Sequence, residues 1–259
     1  MVRGFDTFKK FFAGFEGNYV IIGGTACEIH EEIYAQNPRA TKDIDIILIV
    51  EALSSAFIIR FWDFVKAGGY VQRNKGTDSE HRHEYYRFKN PEDIKFPYQI
   101  ELFSRRLGLV NFPADAHITP IPVDEDLSSL SAILMDDCYY DFTINHSTME
   151  EGIHIANIES LICLKCKAYL EMLERKRNGG QIDNKHIIKH RKDVFRLTAM
   201  LTPANVYEVP EMLKKDVIEF CNRVKEDLPD TDFFKSAGLK NISGEQLLQQ
   251  LKNSFVVQV

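Results

Sequence analysis

A chain of 259 residues with 44% hydrophobic and 27% charged residues has the size of one large domain or two small ones, and enough apolar material for a core. No apolar run reaches the ~18 residues of a membrane span, and the opening MVRGFDTFKKFFAGF lacks a signal peptide's apolar core, so no membrane partner and a cytoplasmic location are expected. Five scattered cysteines, an odd number, exclude a disulfide framework, and a net charge of -6 gives no general reason to expect nucleic-acid binding.

In chain order, Phe5, Phe8, Phe12 and Phe15 recur at helical spacing as a core stripe. NYVIIGG reads as a short buried strand broken by Gly23 and Gly24. A helix from Thr25 to Gln36, with Ala26, Ile29 and Ile33 inward, is stopped by Pro38. KDIDIILIV is the clearest strand, apolar on both faces after Asp45 and therefore central. A second helix covers roughly residues 54–67, with Phe57, Phe61 and Phe64 inward and Gly68 or Gly69 as its stop. EHRHEYYRF and YQIELFSRR read as strands around the turn KNPED, and AILMDDCYYDFTI and GIHIA as further strands.

From about Asn157 the pattern becomes helical. IESLICLKCKAYLEMLERKR ends at NGG, NKHIIKHRKDVFRLTAM stops before Pro203, and PEMLKKDVIEFCNRVKED opens on proline. A capping box from Ser243 to Gln246 announces a last helix. Residues 163–196 carry ten Lys or Arg against four Asp or Glu, so the remainder of the chain holds a net -12. Such a chain can offer a basic wall opposite an acidic site, which suits a polyphosphate held by metal on one side.

Residues two apart on a strand share a face at roughly 6.5–7 Å between Cα atoms, so Asp43 and Asp45 can aim at one point. Burying two unpaired carboxylates is costly, and Mg2+ held by carboxylates and substrate phosphates offsets the cost. The plainer account is a solvated strand end neutralised by Arg39 and Lys42. Gly23 and Gly24, between a strand and a helix start, let phosphates approach backbone N–H groups, or simply make a tight turn.

In this order, strand, Gly-Gly-Thr, helix, then Asp-x-Asp on a strand, the chain resembles the nucleotidyltransferase superfamily related to DNA polymerase β. GGTACEIHEEIYAQNPRATKDIDIIL is most similar to the AbiEii/AbiGii type IV toxin branch, where Gly-Gly-Thr-Ala and Arg-x-Ser/Thr-x-Asp-Ile-Asp are typical. Glu159, Lys165 and Ala168 resemble that branch's Glu-x(5)-Lys-x-x-Ala helix, and Lys192 with Asp193 its later Arg/Lys-Asp helix. The resemblance implies an α+β fold: a mixed β-sheet flanked by helices over residues 1–156 as catalytic domain, then a helical domain over 157–259 closing the nucleotide cleft. It also implies a third carboxylate, Glu101, as metal ligand or proton acceptor; Asp137 and Asp141 are the alternatives.

The expected activity is transfer of an NMP group from an NTP to an acceptor hydroxyl of tRNA, protein or a small molecule. Asp43, Asp45 and Glu101 would hold two Mg2+ ions, with Mn2+ as a substitute. Gly23, Gly24 and Thr25 would position the phosphates, Lys165 and Lys192 would contact the triphosphate, and Asp193 would orient a lysine or a water. A cognate antitoxin is the partner implied for a type IV toxin. Two other readings stay open: a non-catalytic nucleotide-binding homologue, and an antibiotic-modifying adenylyltransferase. A D-x-D glycosyltransferase would leave the Gly-Gly-Thr turn unexplained. Cys163 and Cys166 lack a second pair at zinc spacing and read as structural. His81 and His83 lack a nearby third ligand, and Tyr85, Tyr86 and Arg87 either stack on a base or pack a strand.

Overall fold

The computed structural model describes residues 1–70, 86–105, 118–121 and 130–255. Two compact units emerge: the first comprises Met1–Thr25, Ala40–Tyr140 and Ser147–Ala156, the second Ala26–Arg39, Asp141–His146 and Asn157–Val259. The last crossing of the chain between them follows Ala156. The architecture is α+β, with a mixed sheet and flanking helices. Among the described residues no helix is long and apolar enough to cross a membrane.

The first unit contains the whole sheet. Its strands are β1 (Tyr19–Ile22), β2 (Asp43–Leu48), β3 (Arg87–Lys89), β4 (Gln99–Ser104), β5 (Ile118–Ile121), β6 (Leu130–Leu134), β7 (Ser147–Glu150) and β8 (Ile153–Ala156). They lie in the order β5-β6-β4-β2-β1-β8-β7, with β3 also paired to β4. The expected central strand is therefore the middle one of the row. It runs antiparallel to β1 and parallel to β4.

Alternation along these strands gives the sheet two unlike faces. Tyr19, Ile21, Ile44, Ile46, Phe88, Ile100 and Leu102 share one of them and are all buried. The helices α1 (Phe5–Phe11) and α3 (Ser55–Gly68) supply its aromatic cover: Phe8 meets Tyr19 at 5.4 Å between ring centroids, Phe12 meets Phe64 at 5.3 Å, and Phe61 meets Phe88 at 5.3 Å. Edge-on and tilted rings of this kind add to the area they bury, so Phe5, Phe8 and Phe12 of the expected stripe are core, whereas Phe15 lies past the helix and is partly exposed. Helix α3 starts where the Ser54 hydroxyl accepts from Phe57 N, and it ends at Gly69, whose φ of 60° is the left-handed stop. The opposite face carries Arg87, Lys89, Gln99, Glu101, Asp43 and Asp45.

The second unit is helical. It takes in α2 (Gly23–Ile33) from Ala26 onward, with α5 (Ile158–Arg177), α6 (Asn184–Thr198), α7 (Glu211–Val224), α8 (Thr231–Ser236) and α9 (Gly244–Phe255). Helix α5 packs on α6 and α7, and α9 packs on the same two. Phe195, Phe220 and Phe234 are fully buried among them, with Tyr169 at 5.1 Å from Phe220. Ser243 and Gln246 form the expected capping box: Ser243 N donates to Gln246 Oε1 at 2.9 Å, and Gln246 N to Ser243 Oγ at 3.3 Å. Cys163 and Cys166 are fully buried on α5 and none of the five cysteines forms a disulfide.

The structure corrects several expectations. AILMDDCYYDFTI is not one strand: after β6 it becomes helix α4 (Asp137–Asn145). The Asp136 carboxylate accepts from Cys138 N at 2.9 Å and its carbonyl from Tyr140 N at 2.9 Å, so the aspartate pair starts a helix that the aromatic residues had disguised as strand. Asp137 and Asp141 thus lie on a helix and not on a late strand. Helix α2 begins at Gly23, two residues before Thr25, and Ile33 is exposed while Glu28 and Glu31 are buried. Strands β5 and β7 and the short helix α8 carry no signal that the sequence made plain. Of the strand expected over 80–88, only its end, β3, is described; His81, His83 and Tyr85 lie outside the described residues.

Candidate functional site

Strand register brings three of the expected residues onto one surface. Asp45 on β2 is paired with Glu101 on β4, and Asp43 with Gln99. Paired positions on neighbouring strands project to the same side about 4.8 Å apart, so Asp43, Asp45 and Glu101 occupy one patch of the sheet. All three are partly exposed. Gly23 follows β1 directly and opens α2, with φ +69°. A Cβ there would stand 2.0 Å from Asp45 Oδ2. The absence of a side chain at Gly23 is therefore what admits the Asp45 carboxylate to the first turn of α2. Gly24 follows within that turn, and the buried Thr25 hydroxyl donates to the Asp43 carbonyl at 2.6 Å, which ties the turn to the aspartate strand.

Glu101 is not isolated. Its Oε1 lies 2.5 Å from Arg87 Nε and accepts from Gln99 Nε2 at 2.6 Å. The glutamate thus faces a guanidinium supplied by β3, a residue whose sequence context gave it only a stacking or packing role. Among the described residues no three His, Cys, Asp or Glu side chains converge closely enough to hold a metal ion as they stand. The donor set nevertheless fits a hard divalent cation, because carboxylate oxygens are its preferred ligands and the Gly23 turn leaves the room such a group needs.

Lys165, Lys192 and Asp193 belong to the helical unit. Asp193, fully buried on α6, accepts from Arg39 Nε at 3.0 Å and lies 3.1 Å from Lys165 Nζ. Burial pushes its carboxyl up, yet Lys165 and Arg39 together outweigh that and hold the pKa below the usual carboxylate value. Arg39, one of the expected neutralisers of Asp43 and Asp45, pairs with Asp193. Beside this trio, Glu31 pairs with Arg196 at 2.6 Å and accepts from Arg39 N at 2.8 Å. Removing one member of such a buried set leaves an uncompensated charge, at a cost of about 3–5 kcal/mol. Lys192 lies elsewhere on α6, its Nζ 4.9 Å from the Phe233 ring centroid. Helix α6 thus points Asp193 and Arg196 inward.

His190, next to this network, has a buried Nδ1 with no hydrogen-bond partner. Burial first, then Lys165, push its pKa down to about 3, so the ring stays neutral. Glu31 is the charged residue that sequence reasoning missed, and the actual partners of Arg39, Arg87 and Arg196 were not read from the sequence. Two glutamates one turn apart on α2, Glu28 and Glu31, are both buried, and that pair is the signal that could have found it. No protein-family model, no curated protein and no solved structure matches this chain.

Proposed function

We propose that this chain is a magnesium-dependent nucleotidyltransferase of the polymerase-β-like kind, moving an NMP group from an NTP to an acceptor hydroxyl on tRNA, a protein or a small molecule. The observation that carries this reading is the β2–β4 register, which sets Asp43, Asp45 and Glu101 on one face next to the Gly23 turn. The order of these parts along the chain is that of the AbiEii/AbiGii type IV toxins, which it resembles. A small antitoxin is the partner that this resemblance brings with it.

Asp43, Asp45 and Glu101 would hold Mg2+, or Mn2+ in its place. When bound, the cation supplies positive charge to the reacting phosphate oxygens. The chain's own groups do the rest. Backbone N–H groups at Gly23 and Gly24 face the phosphates at the helix start, and Thr25 fixes that turn to β2. Lys165 and Lys192, which the resemblance implies as triphosphate contacts, belong to the helical unit, where Lys165 pairs with Asp193. Glu101 receives the acceptor's hydroxyl proton or serves as the third ligand. In the transfer, the bond from the acceptor oxygen to the α-phosphorus forms as the bond from that phosphorus to the bridging oxygen breaks, and pyrophosphate leaves with the electron pair.

With α-labelled NTP and Mg2+, wild type should transfer label to at least one acceptor among tRNA, protein and aminoglycoside-type hydroxyl compounds, whereas Asp43→Ala and Asp45→Ala should each lose at least a hundredfold in rate. Absence of label on every acceptor, with a known transferase active in the same assay, overturns the reading. One observation favours a second reading, a nucleotide-binding homologue without turnover: Glu101 is committed to Arg87 and Gln99. That reading gives calorimetric NTP binding with no released pyrophosphate.

A further inference from the structure

Strand β3 adds a third column to the carboxylate face. The antiparallel register pairs Arg87 with Glu101 and Lys89 with Gln99, and β4 in turn pairs Glu101 with Asp45 and Gln99 with Asp43. Two rows therefore cross the sheet, Arg87–Glu101–Asp45 and Lys89–Gln99–Asp43. Phe88, between the two cations, points to the other face, where Phe61 and Trp62 cover it. Its burial pins the orientation of both neighbours, because a one-residue slip would drive a charge into the aromatic core.

The two cations differ in how they are held. Arg87 is fixed by Glu101, yet its side chain stays 40% exposed. Lys89 is partly exposed and has no ion-pair partner among the described residues. Two strand spacings put the backbone positions of both cations roughly 10 Å from those of the aspartates. A nucleoside triphosphate held through a divalent cation that Asp43 and Asp45 would bind brings several negative charges to the carboxylate face. Positive charge is needed on that same face, and β3 carries it.

We propose that Arg87 and Lys89 form a phosphate-binding pair for the triphosphate of the nucleotide substrate, with Gln99 and Glu101 as the positioning residues that hold Arg87 in place. This rests on the nucleotidyltransferase reading. Arginine in such a pair offers several donors in a planar fork to phosphate oxygens, and lysine adds a compact charge.

The test is calorimetric titration of full-length protein with an α,β-methylene ATP and GTP analogue in Mg2+, alongside steady-state rates with the parent NTPs. Lys89→Ala should weaken binding several-fold and Arg87→Ala about tenfold or more, with Arg87→Lys restoring part of the loss. In Lys89→Ala, KM should rise in step with Kd, and kcat should change little. The slope of affinity against salt should also become shallower, a change that a purely structural role does not produce. Lys10→Ala, on α1, should bind as wild type. Lys89→Ala is the decisive variant, since no ion pair is broken in making it. Wild-type affinity in both Lys89→Ala and Arg87→Ala overturns the phosphate pair while leaving the parent reading intact. Failure of wild type itself to bind either analogue, with its fold verified by circular dichroism, overturns both.

Discussion

A methyl group on Gly23 would stand 2.0 Å from Asp45 Oδ2 on a backbone held at φ +69°, so a substitution there acts in two separable ways. The left-handed conformation costs a non-glycine residue on the order of 1–2 kcal/mol. The contact forces the carboxylate out of the helix-start turn. Gly152, in the turn between β7 and β8, supplies the comparison: its φ is +75°, but a Cβ there would meet nothing within 4 Å. Gly23→Ala and Gly152→Ala should both lower the melting temperature, by roughly 2–8 °C. Only Gly23→Ala should also abolish label transfer. Equal activity in the two variants would show that the Asp45 carboxylate does not need that space.

At the scale of elements, legibility followed local signals. Ser54 with Gly69 around α3, Ser243 with Gln246 before α9, and the Asn-Gly-Gly after α5 mark boundaries through chemistry that lies within a few residues, and those helices stand where the sequence puts them. Helix α4 was misread because Tyr139 and Tyr140 carry strand propensity, whereas the Asp136 cap and tertiary burial of both rings decide the outcome. The carboxylate patch was half legible. The Asp43–Asp45 spacing fixes two members, but Glu101 joins them through register between strands more than fifty residues apart, and its Arg87 partner comes from a third strand. The Arg39–Asp193–Lys165 cluster draws on three separated segments, and no periodicity encodes it.

Helix α6 makes that cluster sensitive to acid. His190 holds a folded-state pKa of about 3 against about 6.5 in an unfolded chain, so its contribution is complete above pH 6.5 and is lost as the pH falls towards 3. Asp193, depressed by Lys165 and Arg39, acts in the same direction below the ordinary carboxylate range. Unfolding free energy measured in urea should therefore fall by up to about 1.4 kcal/mol per pH unit between pH 6.5 and 4.5. In His190→Gln the slope should be clearly shallower, with a remainder from His154, whose pKa burial also lowers. Parallel slopes in the two proteins would contradict the assignment of a neutral, buried His190.

For the molecule as a whole, the charge of the chain divides along its architecture. Residues 163–196, with their positive excess, fall in the helical unit, while Asp43, Asp45 and Glu101 belong to the sheet unit. The helical unit buries part of its charge as internal pairs, Lys165 with Asp193 and Arg196 with Glu31, and so uses it for its own cohesion as well. The sheet unit sets its carboxylates on a partly exposed face, and the purpose proposed for them is to receive a cation.

That purpose can be measured without knowing the acceptor. Mn2+ should be titrated into the full-length protein, with the bound ion counted by electron paramagnetic resonance in the presence of a non-hydrolysable NTP analogue. The account predicts one or two bound ions in wild type and loss of that binding in both Asp43→Asn and Asp45→Asn, with circular dichroism unchanged. Equal Mn2+ binding in wild type and in both variants would contradict it.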